Sequence, residues 1–405
     1  MDVEVARWLV SAAAVPALAA AAAEADPTSL AAAQRLRREW PPEQAAAALG
    51  QEALRRRAVA KLGDRAGGLF LTPDGLEQAT RADVAAWRAA RLAAAGATSV
   101  VDLGCGIGAD ALAFADAGLA VVAVELEPAT AVLAEANLAG RGRVQQGDAA
   151  ALAPQLLADG AAVFLDPARR TAAGRSWRVA DLTPPWDFAT GLLNGRIGCI
   201  KAAPGLPGGF IPEGVAATWV SHRGELVECS LWAGAWPAGS RTAVLLPAGR
   251  ELAAGERRDP QPGPVGRYLY EPDPAVIRAG AGGALAGLLG AWAAAAGIAY
   301  LFADAPVATG FATGFEVLEV LPFDERRLRG WLREHRVGAV EIKVRGLDVD
   351  PAVLRRRLKP AGPGAVTLVL SPTVDGARAL VARRLPRDAG GAEPPDRGTA
   401  TARPE

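Results

Sequence analysis

Methionine, histidine, cysteine, tyrosine and lysine are all scarce in this chain of 405 residues, which holds one Met, two His, three Cys, three Tyr and four Lys. With only His222 and His335, and with Cys105, Cys199 and Cys229 far apart, nothing has the spacing of a zinc or other metal site, and none is expected. The three cysteines read as small buried hydrophobes of a reducing compartment, the cytoplasm, and not as a disulfide framework. Long apolar runs are missing as well. No stretch reaches the roughly 20 residues that cross a bilayer, so no membrane partner is expected. The Ala-rich stretch 8–23 follows Asp2 and Glu4 where a secretory leader would be basic, and it reads as a helix. Net charge is zero, 44 basic against 44 acidic residues, which excludes a global polycation. The positive charge is almost all Arg, and it gathers late: residues 321–405 hold 17 Lys and Arg against 11 Asp and Glu. A basic face or a solvated surface both fit that excess.

What is present is organised around residues 98–108, TSVVDLGCGIG. Thr98, Ser99, Val100 and Val101 read as a buried parallel strand. It runs through Asp102 into Gly104, Gly106 and Gly108 before a helical pattern begins. Glycines at alternate positions let the backbone bend sharply and let a flat ligand lie on it, because no Cβ intervenes. Two ligand classes fit. Gly104, Gly106 and Ala109 satisfy the permissive dinucleotide pattern G-x-G-x-x-[GA], in which a helix N-terminus receives a pyrophosphate. The third glycine and the acid at 102 point elsewhere, since a carboxylate repels a phosphate and attracts an ammonium. S-adenosylmethionine carries an ammonium and a sulfonium and no phosphate.

The run Asp102-Leu103-Gly104-Cys105-Gly106-Ile107-Gly108 resembles motif I of class I S-adenosylmethionine-dependent methyltransferases, [DE]-x-G-x-G-x-G. The resemblance implies an α/β fold with a Rossmann-like doubly wound sheet of about seven strands, and S-adenosylmethionine as cofactor. It puts Asp102 near the cofactor amine, with Gly104, Cys105, Gly106 and Gly108 beneath the ligand. Glu125, at the end of the next strand with Leu126 after it, would meet the ribose hydroxyls. Asp148 with Ala149 would meet the adenine; Asp148 equally reads as a helix cap, and both roles can hold. Asp166-Pro167-Ala168-Arg169 corresponds to motif IV, [DN]-P-P-[FYW] in amine-methylating relatives, so Asp166 and Pro167 are the catalytic candidates. Ala168 replaces the second proline and Arg169 the aromatic stacking residue. Methylation of a base amine is therefore implied only in part. Arg169, Arg170 and Arg175 read either as phosphate or base contacts or as a solvated loop. Thr80 and Arg81, just upstream of motif I, are weak cofactor candidates on the same resemblance.

Taken in order, residues 1–92 read as an N-terminal helical region, with about three short helices interrupted at Asp26-Pro27 and Pro41-Pro42, then one helix over 75–92. The methyltransferase domain is expected over 93–249, ending in a hairpin about Arg223-Gly224 and a further strand at 242–246. Polar, proline-bearing 250–266 reads as a linker. An α+β unit follows at 267–385, and the tail 386–405 has a composition that cannot bury enough surface to order. Leu269-Tyr270-Glu271-Pro272-Asp273, Glu319-Val320-Leu321-Pro322-Phe323, Glu341-Ile342-Lys343-Val344-Arg345-Gly346 and Val349-Asp350-Pro351 resemble the THUMP-like domain fused behind actinobacterial methyltransferases. That resemblance implies an RNA substrate, a transfer or ribosomal RNA. Arg326, Arg327, Arg329, Arg333, Lys343, Arg345, Arg355, Arg356, Arg357 and Lys359 would form a phosphate-contacting face, and many of them read equally as solvation of amphipathic helices. A small-molecule or protein methyltransferase, and an RNA-binding protein that keeps the fold only as scaffold, stand as the alternatives.

Overall fold

The computed structural model describes residues 1–158, 160–169, 182–255 and 259–386, with the backbone alone at 168 and 169. The chain divides into two compact units, 1–240 with 246–249, and 241–245 with 250 onward. Arg170, Arg175 and the tail after 386 lie outside the described residues.

The first unit opens with helices Val3–Leu9, Val15–Ala22, Leu30–Leu36 and Pro42–Leu62. The Ser29 hydroxyl caps the third, and Pro42 occupies the first turn of the fourth, where a missing N–H costs nothing. That fourth helix is not short. Its 21 residues bury Ala45, Ala48, Leu49, Gln51, Leu54, Ala58 and Leu62, a stripe at three- and four-residue spacing. The single helix expected over 75–92 is two, Pro73–Gln78 and Ala82–Ala94. The break at 79–81 turns Thr80 inward, and its hydroxyl donates to the buried Asp110 carboxylate at 2.6 Å.

From β1 (Ser99–Leu103) the chain alternates strand and helix through β2 (Ala120–Glu125), β3 (Gly142–Gln146) and β4 (Ala162–Leu165), all parallel. Helices Ala109–Asp116, Pro128–Leu138 and Ala149–Leu156 follow the first three strands in turn. A two-stranded ribbon, β5 (Ala168–Arg169) with β6 (Leu182–Thr183), precedes β7 (Gly198–Ala202), which returns parallel to β4. β8 (Ala216–His222) and β9 (Glu225–Ala233) make the hairpin, whose turn residues Arg223 and Gly224 both have left-handed φ. β10 (Arg241–Leu246) and β11 (Arg250–Ala253) complete a sheet of order β11-β10-β8-β9-β7-β4-β1-β2-β3. The sheet thus has nine strands where about seven were expected. β11 takes the first four residues of the stretch read as linker, because Leu252 is buried while Glu251 and Ala253 face out, the alternation of an edge strand. This order sets the carboxyl ends of β1, β2, β4 and β7 side by side, where open α/β sheets receive ligands.

The second unit carries a separate seven-stranded sheet. Its strands are β12 (Tyr268–Pro272), β13 (Trp292–Ala293), β14 (Leu301–Ala303), β15 (Ala312–Pro322), β16 (Val337–Val344), β17 (Gly364–Thr373) and β18 (Gly376–Arg384), in the order β13-β14-β12-β15-β18-β17-β16. Helices Glu325–Glu334 and Pro351–Leu358 bury Leu328, Leu332, Leu354 and Leu358 in one core with Val340, Ile342, Leu368 and Leu370. Among the described residues no single helix is long and apolar enough to cross a membrane.

Candidate active site

The glycine loop leaves β1 with its backbone tied to β2: the N–H groups of Gly104 and Cys105 both donate to the Val124 carbonyl at 2.9 Å. Gly104 and Gly106 adopt φ of +87° and +55°, and a Cβ built on either would meet nothing within 4 Å. The bend therefore needs glycine for its conformation and presents bare backbone to whatever lies over it. Gly108, also left-handed, caps the helix Ala109–Asp116. Asn137 pins the loop from behind, donating to the Ile107 and Phe70 carbonyls at 2.9 Å each.

Acids surround this bend. Asp102 is fully buried, and neither carboxylate oxygen has a hydrogen-bond partner among the described residues. Burial, reinforced by Asp110 and Asp166, pushes its carboxyl well above the usual range. A buried carboxylate with both oxygens unsatisfied is costly unless a cation or donor meets it, and an amino-acid ammonium supplies both. Glu125 behaves differently. One of its oxygens accepts the Gly106 N–H and the other the Glu127 N–H, each at 2.9 Å, which leaves lone pairs on both for vicinal hydroxyls. Leu126 beside it is 54% exposed, an apolar side chain held in the open at the strand end. Asp148 caps the helix Ala149–Leu156, accepting from the Ala151 N–H at 3.0 Å, so the capping role is present. Cys105 is half-buried, and its thiol is pushed up by burial, which keeps it protonated. These residues fit S-adenosylmethionine: bare backbone under it, an unpartnered carboxylate for its ammonium, and an acid at the strand end for its ribose.

Asp166 follows β4 and is ion-paired with Lys201 of β7. Burial raises the Asp166 carboxyl against the pull of Lys201. Burial disfavours the Lys201 ammonium in turn, but Asp166, Asp110 and Glu228 outweigh it and its proton is held more tightly than usual. Behind this pair lies a cluster that sequence reasoning missed. Arg88, with no exposed surface, bonds Asp110 through one nitrogen and both oxygens of Glu228, at 2.6 and 2.7 Å, through the other. Its guanidinium lies 4.8 Å from the centre of the Phe164 ring. Ser230 donates to Glu228 at 2.7 Å, while Thr80 completes Asp110. Thr80 is thus a member of this buried network, whereas Arg81 reaches a mostly exposed Glu225 at 3.0 Å. In the sequence, Arg88 is one polar residue among several in the helical stretch 75–92. The available hint was Glu228, an acid between the apolar Val227 and Cys229 of β9.

In the second unit Lys343 is held between acids, 2.6 Å from Glu271 and 3.6 Å from Glu341. Arg345 stacks 5.2 Å from the Tyr300 ring centre. The arginines at 326, 327, 329, 333, 355, 356 and 357 and Lys359 are all exposed, and Arg357 pairs with Glu325 at 3.1 Å.

Comparison with known proteins follows the same division. A family model described as THUMP domain-like matches residues 312–384, and a domain of unknown function matches 2–58. Two uncharacterized S-adenosylmethionine-dependent methyltransferases of Mycobacterium tuberculosis, from strains CDC 1551 / Oshkosh and ATCC 25618 / H37Rv, are each 37% identical over 331 residues, which is 78% of this chain and 90% of theirs. A crystal structure of a provisionally named methyltransferase from Porphyromonas gingivalis W83 superposes with a TM-score of 0.72 at 23% identity, over 94% of this chain and 97% of that one, and shares the fold. The chain belongs to the S-adenosylmethionine-dependent methyltransferases, carries a THUMP-like domain at its C-terminal end, and takes S-adenosylmethionine as its cofactor.

Proposed function

We propose that this enzyme methylates RNA, the first unit holding the cofactor and the reacting atoms and the THUMP-like unit contacting the RNA. The observation that carries the RNA reading is the second unit's pair of helices, Glu325–Glu334 and Pro351–Leu358, whose exposed arginines meet few acids. Such a surface suits a phosphate backbone. Lys343 is already engaged by Glu271 and Arg345 by Tyr300, so phosphate contact falls to the helix arginines first.

In the first unit Asp102 meets the cofactor ammonium, Gly104, Cys105, Gly106 and Gly108 floor the site, and Glu125 takes the ribose hydroxyls. Leu126 covers the adenine face, and Asp148 with Ala149 borders its edge. The cofactor supplies an activated methyl on a sulfonium. The chain's part is to align the acceptor in line with it, keep water out and accept a proton. Asp166, with Pro167 next to it, orients the acceptor, and Arg169 and Arg170, which follow in the sequence, are the candidates for contacting it.

The test is binding of structured RNA by the full-length protein over a range of salt, alongside Arg326→Glu/Arg327→Glu. Affinity that falls steeply with salt in the parent, and a shallower slope in the variant by about one per lost phosphate contact, supports the reading. Binding that ignores both salt and substitution would redirect the search to a small-molecule or protein acceptor.

A further inference from the structure

Lys201 brings a cation to a place where the motif resemblance calls for none. It lies on β7, the strand beside β4, and its ammonium bonds the Asp166 carboxylate. Arg88, the other cation of the cluster, is used up by Asp110 and Glu228 and has no surface. Lys201 spends one N–H on Asp166 and keeps 16% of its side chain exposed, while Asp166 keeps 34%. These two are the accessible charges of the cluster, and the acids around Lys201 hold it in the ammonium form. It is therefore a hydrogen-bond donor and not a base.

A fixed donor cation discriminates between acceptors. An amine gains positive charge as it takes a methyl group, and a neighbouring ammonium opposes that gain. A hydroxyl oxygen gains negative charge as its proton leaves, and a neighbouring ammonium stabilises it. The position held by a stacking aromatic in amine-methylating relatives is here Arg169. We infer that Lys201 and Asp166 work as a pair on a hydroxyl acceptor, which in an RNA is the ribose 2′-hydroxyl. The identification of that hydroxyl rests on the RNA reading above. In the transfer the O–H proton passes to the Asp166 carboxylate, Lys201 donates a hydrogen bond to the emerging oxyanion, and an O–C bond forms as the S–C bond breaks. The electron pair of that bond stays on sulfur, leaving the neutral thioether S-adenosylhomocysteine. Asp166 then returns its proton to water through its exposed edge.

The test uses full-length protein, methyl-labelled S-adenosylmethionine and RNA from a strain that lacks the gene, with the product digested to nucleosides for mass spectrometry. Label on 2′-O-methylnucleosides is expected. Label on base-methylated nucleosides would overturn this inference and leave the RNA reading standing; no label on any nucleoside, with S-adenosylhomocysteine still bound by calorimetry, would overturn both. Lys201→Gln is expected to lower incorporation by about 100-fold. Its affinity for S-adenosylhomocysteine should stay within about threefold of the parent, an interval under 1 kcal/mol. Unchanged incorporation in a folded Lys201→Gln protein would remove Lys201 from the transfer. Should that variant fail to melt cooperatively, the nucleoside identity made by the parent decides alone.

Discussion

The two units spend their charges in opposite ways. At the carboxyl ends of β1, β4 and β7 the first unit buries Asp102, Asp110, Arg88 and Glu228 and nearly buries Lys201, with every cation bonded and Asp102 left unmet. On and beside the helices of the second unit eight Arg and Lys residues are exposed, and among the described residues they make one ion pair, to Glu325. Burying ions costs several kcal/mol each before their mutual attraction is counted, whereas exposed ions cost almost nothing and contribute little to stability. The first arrangement persists only where the charges are fixed against one another or against a ligand. The second is free to meet any polyanion.

Breaking the buried side should therefore cost most. Arg88→Met leaves Asp110 and Glu228 buried without their cation, and about 3–5 kcal/mol of stability should be lost, read from urea denaturation. Asp166→Ala should reduce methyl transfer by about 100-fold or more while S-adenosylhomocysteine binds almost as before, which calorimetry and single-turnover rates separate. Asp102→Asn sharpens the comparison, because its two effects have opposite signs. The folded protein holds the Asp102 proton to higher pH than the unfolded chain does, so this group destabilises the ligand-free fold increasingly as pH rises above the ordinary carboxylate value near 3.9. Removing the charge should raise the melting temperature of the ligand-free protein by about 2–4 °C at pH 8, and by less at pH 5. Cofactor affinity should fall about 10- to 100-fold, the worth of a hydrogen bond to a charged group. On the exposed side, Arg357→Ala should change stability by less than about 0.5 kcal/mol, within the scatter of thermal melts.

The same contrast explains what could be read from the chain in advance. Motif I, Glu125 and the Asp148 cap are local: each depends on a turn or strand end within a few residues, so spacing reveals it. The β8–β9 hairpin is local too, since Arg223-Gly224 sits between two apolar runs. Arg88, Asp110, Glu228 and Lys201 are far apart in sequence and meet only because helices Ala82–Ala94 and Ala109–Asp116, which carry the first two, pack where β9 and β7, which carry the last two, lie side by side. Singly, each resembles an ordinary helix or strand residue. The break at 79–81 was hidden for the same cause, since what interrupts the helix is a bond from Thr80 to Asp110, 30 residues on. β11 escaped because an edge strand needs only one apolar residue in two, and the prolines after it dominate the local composition.

Glu125 grips the main chain of Gly106 with one oxygen and that of Glu127 with the other. Retargeting an α/β enzyme toward a different nucleotide commonly begins by swapping the acid at this strand end. In this molecule the swap would unlatch the floor of the site at the same stroke: Glu125→Gln turns one of the two acceptors into a donor facing an N–H, and the loop would lose its shape before ligand preference could shift. Any redesign of the pocket has to begin by supplying that latch from another side chain.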